Sequence, residues 1–141
     1  MRTKGILGVG AVLALAATAA WAQLVLRPGK YNVTMELTLP GAPANSQEDT
    51  DCLSAEDAKD LVKSMMRELS SEASCSASNV KTAGKKLTFD ASCNMQGNVV
   101  SASTELTINN ETSYDAVMKV NAAGVSTLLK IKGEWVGATC D

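Results

Sequence analysis

Residues 75–93 read CSASNVKTAGKKLTFDASC, and their pattern sets the fold class. Leu87, Phe89, Ala91 and Cys93 alternate with Lys86, Thr88, Asp90 and Ser92, the period of a strand with one apolar face. A period-two run from Cys75 to Thr82 precedes it, and Ala83-Gly84 between the two is a turn signal, so the stretch is a β-hairpin. A turn of roughly three residues centred on Gly84 places Cys75 opposite Cys93. In a non-hydrogen-bonded antiparallel pair the Cα atoms stand about 4.5 Å apart, within the reach of a disulfide.

The same period continues toward the C-terminus. Asn94-Met95-Gln96-Gly97 is a turn, Asn98 to Ile108 a strand, and Asn109-Asn110 a further turn. Tyr114, Ala116, Met118 and Val120 form the inward set of the next strand, and Asn121 to Gly124 turns again. The last strand, about Val125 to Val136, sets Leu129 and Ile131 against Lys130 and Lys132. Upstream, Tyr31, Val33, Met35, Leu37 and Leu39 alternate with polar residues until Pro40-Gly41-Ala42-Pro43 stops the strand, and Asn45 to Asp51 reads as an exposed loop. Ser54-Ala55-Glu56-Asp57 is a helix start, with a hydroxyl to cap and acids to complement the dipole. Ala58, Leu61, Val62, Met65, Met66 and Leu69 then recur at helical spacing. The expected fold is mainly β (α+β): an antiparallel meander of about six strands, with the option of curling toward a barrel, and one amphipathic helix.

Ahead of this pattern lies a segment of a different kind. Arg2 and Lys4 precede an uncharged apolar run from Ile6 to Ala17, and Ala20-Trp21-Ala22 is a small-x-small cleavage site. Residues 1–22 therefore read as a cleaved secretory signal peptide and 23–141 as one soluble exported domain, without a membrane span. Without Arg2 and Lys4 the domain has 11 basic and 15 acidic residues, a formal charge of −4. No basic footprint for nucleic acid is present. The 141 residues contain no histidine, which removes Ser-His-Asp and Cys-His catalysis and His-ligated zinc.

Cys52, Cys75, Cys93 and Cys140 are too far apart for paired Cys-x-x-Cys zinc or redox motifs, and in an exported domain they read as disulfides. Four cysteines permit three connectivities, and spacing alone does not select one. The hairpin register favours Cys75 with Cys93, which leaves Cys52 with Cys140.

Three segments resemble an exported bacterial family catalogued as domain of unknown function three-six-one-seven. Arg27-Pro28-Gly29-Lys30-Tyr31-Asn32-Val33-Thr34 resembles its opening, Cys52-Leu53-Ser54-Ala55-Glu56-Asp57-Ala58 its second segment, and Gly137 with Cys140 its Gly-x-x-Cys finish. Tyr31 stands where the family usually has Trp, and the Met-Pro-rich loop of many members is missing. The resemblance implies a bacterial periplasmic protein and transfers no catalytic residue.

Other clusters have ordinary structural readings. Glu36, Glu105 and Glu134 lie among Thr, Ser and Lys on strands, as on a solvated face, and not as a glycosidase pair. Asp51, Glu56, Asp57 and Asp60 match no calcium loop. Met35, Met65, Met66, Met95 and Met118 could form a soft cuprous site, but most sit on apolar faces as core fillers. Lys81, Lys85, Lys86, Lys119, Lys130 and Lys132 are interspersed with Asp90, Asp115 and Glu134. The sequons at Asn32 and Asn110 matter only in a eukaryotic secretory pathway. No Gly-x-Ser-x-Gly nucleophile elbow occurs.

These readings converge on a non-catalytic exported binding or interaction module that needs no cofactor. Its leading version grips an envelope protein through a sheet edge or the polar face. The alternative is a small lipocalin-like carrier whose Met-rich, low-aromatic interior leaves room for a lipophilic ligand.

Overall fold

The structure, a computed structural model, describes residues 25–70 and 73–141. The signal-peptide reading on residues 1–22 lies outside them. The elements are β1 (Gly29–Thr38), β2 (Asn45–Leu53), a 3-10 turn (Asp57–Lys59), α1 (Leu61–Leu69), β3 (Ser74–Ala83), β4 (Lys86–Met95), β5 (Asn98–Asn110), β6 (Ser113–Ala122) and β7 (Val125–Gly137). All the strands join one antiparallel sheet in the order β2-β1-β7-β6-β5-β4-β3.

The mainly β class with one helix holds, with two corrections. The sheet has seven strands, because Asn45–Leu53 is a strand and not a loop. It hydrogen-bonds to β1 from Leu37↔Asn45 to Gly29↔Leu53. Its side chains are almost all exposed, so it carries none of the alternation that reveals a strand in sequence. The sheet also does not close into a barrel, since β2 and β3 each have a neighbour on one side only. The chain between them, the 3-10 turn and α1, passes over one face from one edge of the sheet to the other.

That inner face holds the core. Leu87, Phe89 and Ala91 of β4, Leu106 and Ile108 of β5 and Ala116 of β6 cluster with Leu61 of α1 and with Leu26, which precedes β1. The opposite, outer face is polar: Glu36 stands opposite Lys130, Asp115 opposite Lys132, and Lys86 Nζ lies 3.1 Å from Glu105 Oε1. The helix starts in two steps. Ser54 Oγ accepts the Asp57 N–H at 3.0 Å just ahead of the 3-10 turn, and Asp60 Oδ1 accepts the Lys63 N–H at 3.0 Å as the cap of α1.

The β3–β4 hairpin reaches its cysteine register by a different route from a three-residue turn. Near the turn the pairing is Ala83↔Lys86 and Thr82↔Leu87, a two-residue connection that by itself would leave Cys75 and Cys93 out of step. The register shifts between Ser78 and Lys81, where Asn79 adopts φ 53° and its amide donates to Asp90 Oδ2 at 2.9 Å. Beyond this bulge Cys75 faces Cys93. The structure joins Cys75 to Cys93, with Cα atoms 4.0 Å apart, and Cys52 to Cys140, with Cα atoms 5.6 Å apart.

At the start of β1 a corner ties the sheet's first and last parts together. Tyr31 Oη donates to the Arg27 carbonyl at 2.6 Å, the Arg27 N–H donates to the Glu111 carbonyl at 2.7 Å, and Trp135 Nε1 donates to the Pro28 carbonyl at 3.1 Å. The Arg27 guanidinium lies 5.1 Å from the Trp135 ring centroid. A Cβ on Gly29 would collide with the Gly137 carbonyl, and Gly29 itself holds φ 141°.

Two stability measurements follow. In the chain-entropy view, replacing Cys75 and Cys93 with serine lowers the unfolding free energy in urea by about 3 kcal/mol, and replacing Cys52 and Cys140 lowers it by between about 4 and 5 kcal/mol. Thr104 is buried facing Phe89 and Met118, and its Oγ1 has no hydrogen-bond partner among the described residues. Thr104→Val removes that unmet hydroxyl at nearly constant shape and raises stability by about 1 kcal/mol in the same assay.

Candidate functional site

The helix is too small for the face it covers. Nine residues at 1.5 Å each make α1 about 14 Å long, whereas seven strands spaced near 4.8 Å span about 29 Å. It packs toward β3 and β4, and the rest of the inner face stays open as a groove of about 420 Å³.

One face of α1 forms a wall of the groove through Leu61, Ser64, Met65, Glu68 and Leu69, at steps of three and four residues. The floor comes from alternate residues of the strands: Tyr31, Val33 and Met35 of β1, Leu129 and Ile131 of β7, Tyr114, Ala116 and Met118 of β6, and Leu106 of β5. Leu26, Asp51 and Leu53 complete the lining. The surface is mostly apolar, with Ser64, the Tyr114 hydroxyl and the Asp51 and Glu68 carboxylates as its main polar groups.

Tyr114 lies across the floor because β7 leaves space for it. It pairs with Gly133, and a Cβ at that position would sit inside the Tyr114 ring. The ring covers bare backbone and meets the Tyr31 ring with centroids 5.8 Å apart. Burial, first, and then the charges of Asp51, Tyr31 and Glu68 push the Tyr114 hydroxyl up to about 12, and burial also raises Tyr31.

The residues singled out in the sequence are distributed differently. Met35, Met65 and Met118 line the groove together, Met66 packs against the core, and Met95 is exposed at the β4–β5 turn. Glu36, Glu105 and Glu134 lie on the outer face, away from the groove. Asp57 is held below the usual carboxylate range by hydrogen bonds from Arg67 and Ser54, and Asp60 caps α1. Among the described residues no three His, Cys, Asp or Glu side chains are grouped to hold a metal ion. The groove itself was not assigned from sequence. Its one advance signal was the scarcity of aromatics among its apolar residues, which leaves Met, Ala and Leu where larger rings would fill the space.

Tyr114, partly buried in the groove floor, makes stability sensitive to alkali. Its pKa is higher folded than unfolded, so the contribution is complete below about pH 10 and is lost as pH rises toward 12, amounting to 2 to 3 kcal/mol in order of magnitude. An alkaline titration of the native protein followed by tyrosinate absorbance shows little ionisation at pH 10, where the same chain in denaturant is half ionised.

The segments that resemble a known family now have structural roles. Arg27 to Tyr31 forms the corner on Trp135 and Glu111. Cys52 to Ala58 carries a disulfide, a groove residue in Leu53, the Ser54 cap and buried Ala58. Gly137 pairs with Lys30, and Cys140 closes on Cys52. No curated protein and no solved structure matches the chain. The family described as "Protein of unknown function (DUF3617)" matches it over residues 26–140, and the chain belongs to that family.

Proposed function

We propose that this is an exported, non-catalytic binding protein that holds a lipophilic molecule in the groove between α1 and the open sheet. The groove carries the reading. Its volume of about 420 Å³ falls within the usual range of small-molecule sites, and its lining is apolar with few polar groups. The Asp51 and Glu68 carboxylates at the groove disfavour a ligand with an anionic end. Export is supported by the N-terminal pattern of charge and hydropathy and by two disulfides, which persist in oxidising compartments. The non-catalytic reading is supported by the lack of histidine and by Glu36, Glu105 and Glu134 lying outside the groove.

This reading takes the open groove in place of a lipocalin-like barrel, and it displaces recognition through a sheet edge. Both edges are blunted against strand addition: β2 carries Glu48, Asp49 and Asp51, while β3 carries the Asn79 bulge and Lys81.

Protein recovered from cells expressing all 141 residues tests the reading in two ways. A native mass spectrum shows an added apolar mass that leaves on denaturation, or stripped protein enhances the fluorescence of the neutral dye N-phenylnaphthylamine. Ser64→Phe, which puts a ring into the groove from the helix side, weakens dye binding by at least about tenfold with the melting temperature held. A clean apo mass together with no dye enhancement overturns the proposal.

A further inference from the structure

The two ends of the sheet differ in chemistry. At one end, where β1 begins and β7 finishes, lie Arg27, Lys30 and Glu111 of the corner and, at the β3–β4 turn, Lys85 and Lys86. At the other end three hairpins turn, β1–β2, β6–β7 and β4–β5, in successive places along the sheet. Their tips carry no charge at all: residues 37–47, 120–129 and 91–104 contain no Asp, Glu, Lys or Arg.

The same tips expose large apolar side chains. Leu39 is 46% exposed in the first, Val125 is 50% exposed in the second, and Val99 is 64% and Met95 42% exposed in the third. Such side chains are common singly, but here they stand on three neighbouring tips that carry no charge. Leu39 and Val125 also share the face of the groove floor, whereas Val99 lies on the outer face of β5. Along β1 the face that supplies Val33 and Met35 to the floor runs on to exposed Leu37 and Leu39, and along β7 the face of Ile131 and Leu129 runs back to Val125.

From this we propose that the uncharged hairpin end docks on the surface of a lipid bilayer, with Leu39, Val125 and Val99 entering the interface between headgroups and acyl chains. A bilayer suits a flat, neutral set of Leu, Val and Met tips that needs no partner charge. A protein hot spot is typically built on Trp, Tyr or Arg, and these tips have none. The choice of a lipid phase rests on the lipophilic reading of the groove, because an apolar ligand resides in membranes and the groove floor leads to this end. Docking through these tips depends on apolar contact, so it is insensitive to salt and needs no anionic lipid, unlike attachment by a basic patch.

Flotation with vesicles of phosphatidylcholine alone provides the test, using the processed protein recovered from cells expressing all 141 residues. The expected result is co-flotation that is equal at low and high salt. Leu39→Asp and Val125→Asp each reduce partition on the order of tenfold, Val99→Asn reduces it less, and Lys119→Ser on the outer face has no effect. All four positions are exposed, and a thermal melt of each variant checks that the fold is retained. Three results overturn the proposal: no flotation; flotation confined to anionic vesicles and abolished by salt; or a photocrosslinker at position 39 that captures a single envelope protein while neutral vesicles fail. Dye binding in the groove is measured on the same samples. Vesicle binding without dye binding refutes the groove reading alone, and dye binding without vesicle binding refutes the docking alone.

Discussion

A seven-stranded sheet with one apolar face and a single short helix to cover it cannot bury that face completely, and the rest of the structure follows from this shortfall. Where α1 packs, toward β3 and β4, the inner face is a filled core around Phe89. Where it does not reach, over β1, β7 and β6, the same alternation of apolar residues becomes the floor of a groove. Site and core are thus one surface divided by the helix. An uncovered apolar face of this kind costs free energy in water, and soluble proteins rarely leave one without a use.

The stabilising devices gather at the charged end. The corner built by Arg27, Tyr31, Glu111 and Trp135, the close approach at Gly29 and the Cys52–Cys140 bridge all lie where β1 starts and β7 finishes. The three segments that resemble the family fall largely on these features. They record how the sheet and helix are held in place, and they say little about what the groove contains. Exposed ion pairs such as Arg27–Glu111 contribute modestly, so the corner depends more on backbone hydrogen bonds and on packing against the indole.

Much of the sheet was legible from periodicity. The inward sets of β1, β4, β6 and β7 were read correctly because each alternates cleanly between Leu, Val, Met or aromatic residues and polar ones. Strand β2 was not legible, because Asn45–Leu53 buries almost nothing and is a strand only through the backbone of β1. The facing of Cys75 and Cys93 was reached from a longer turn than the hairpin has, and the Asn79 bulge makes up the missing residue. No periodicity reports a single inserted residue in an exposed polar strand. The groove was beyond sequence for a different reason: its existence depends on where α1 lies relative to β6 and β7, a tertiary distance that the helix pattern does not contain.

The segment that carries α1 is fastened at both ends. Cys52 just before it is bonded to Cys140, and Cys75 just after it is bonded to Cys93, so the helix is a strap with two covalent buckles. Such a strap can bow away from the sheet but cannot swing off it, which limits how wide the groove can open and keeps the wall in register with the floor. It also sets a chronology. Before the thiols are oxidised the strap is held by the pairing of β2 and β3 at its two ends and by the contacts of a nine-residue helix. Oxidation therefore does more than harden a finished fold: it fixes how far the helix can part from the sheet, and a reduced chain keeps the strands while its groove wall is held less firmly.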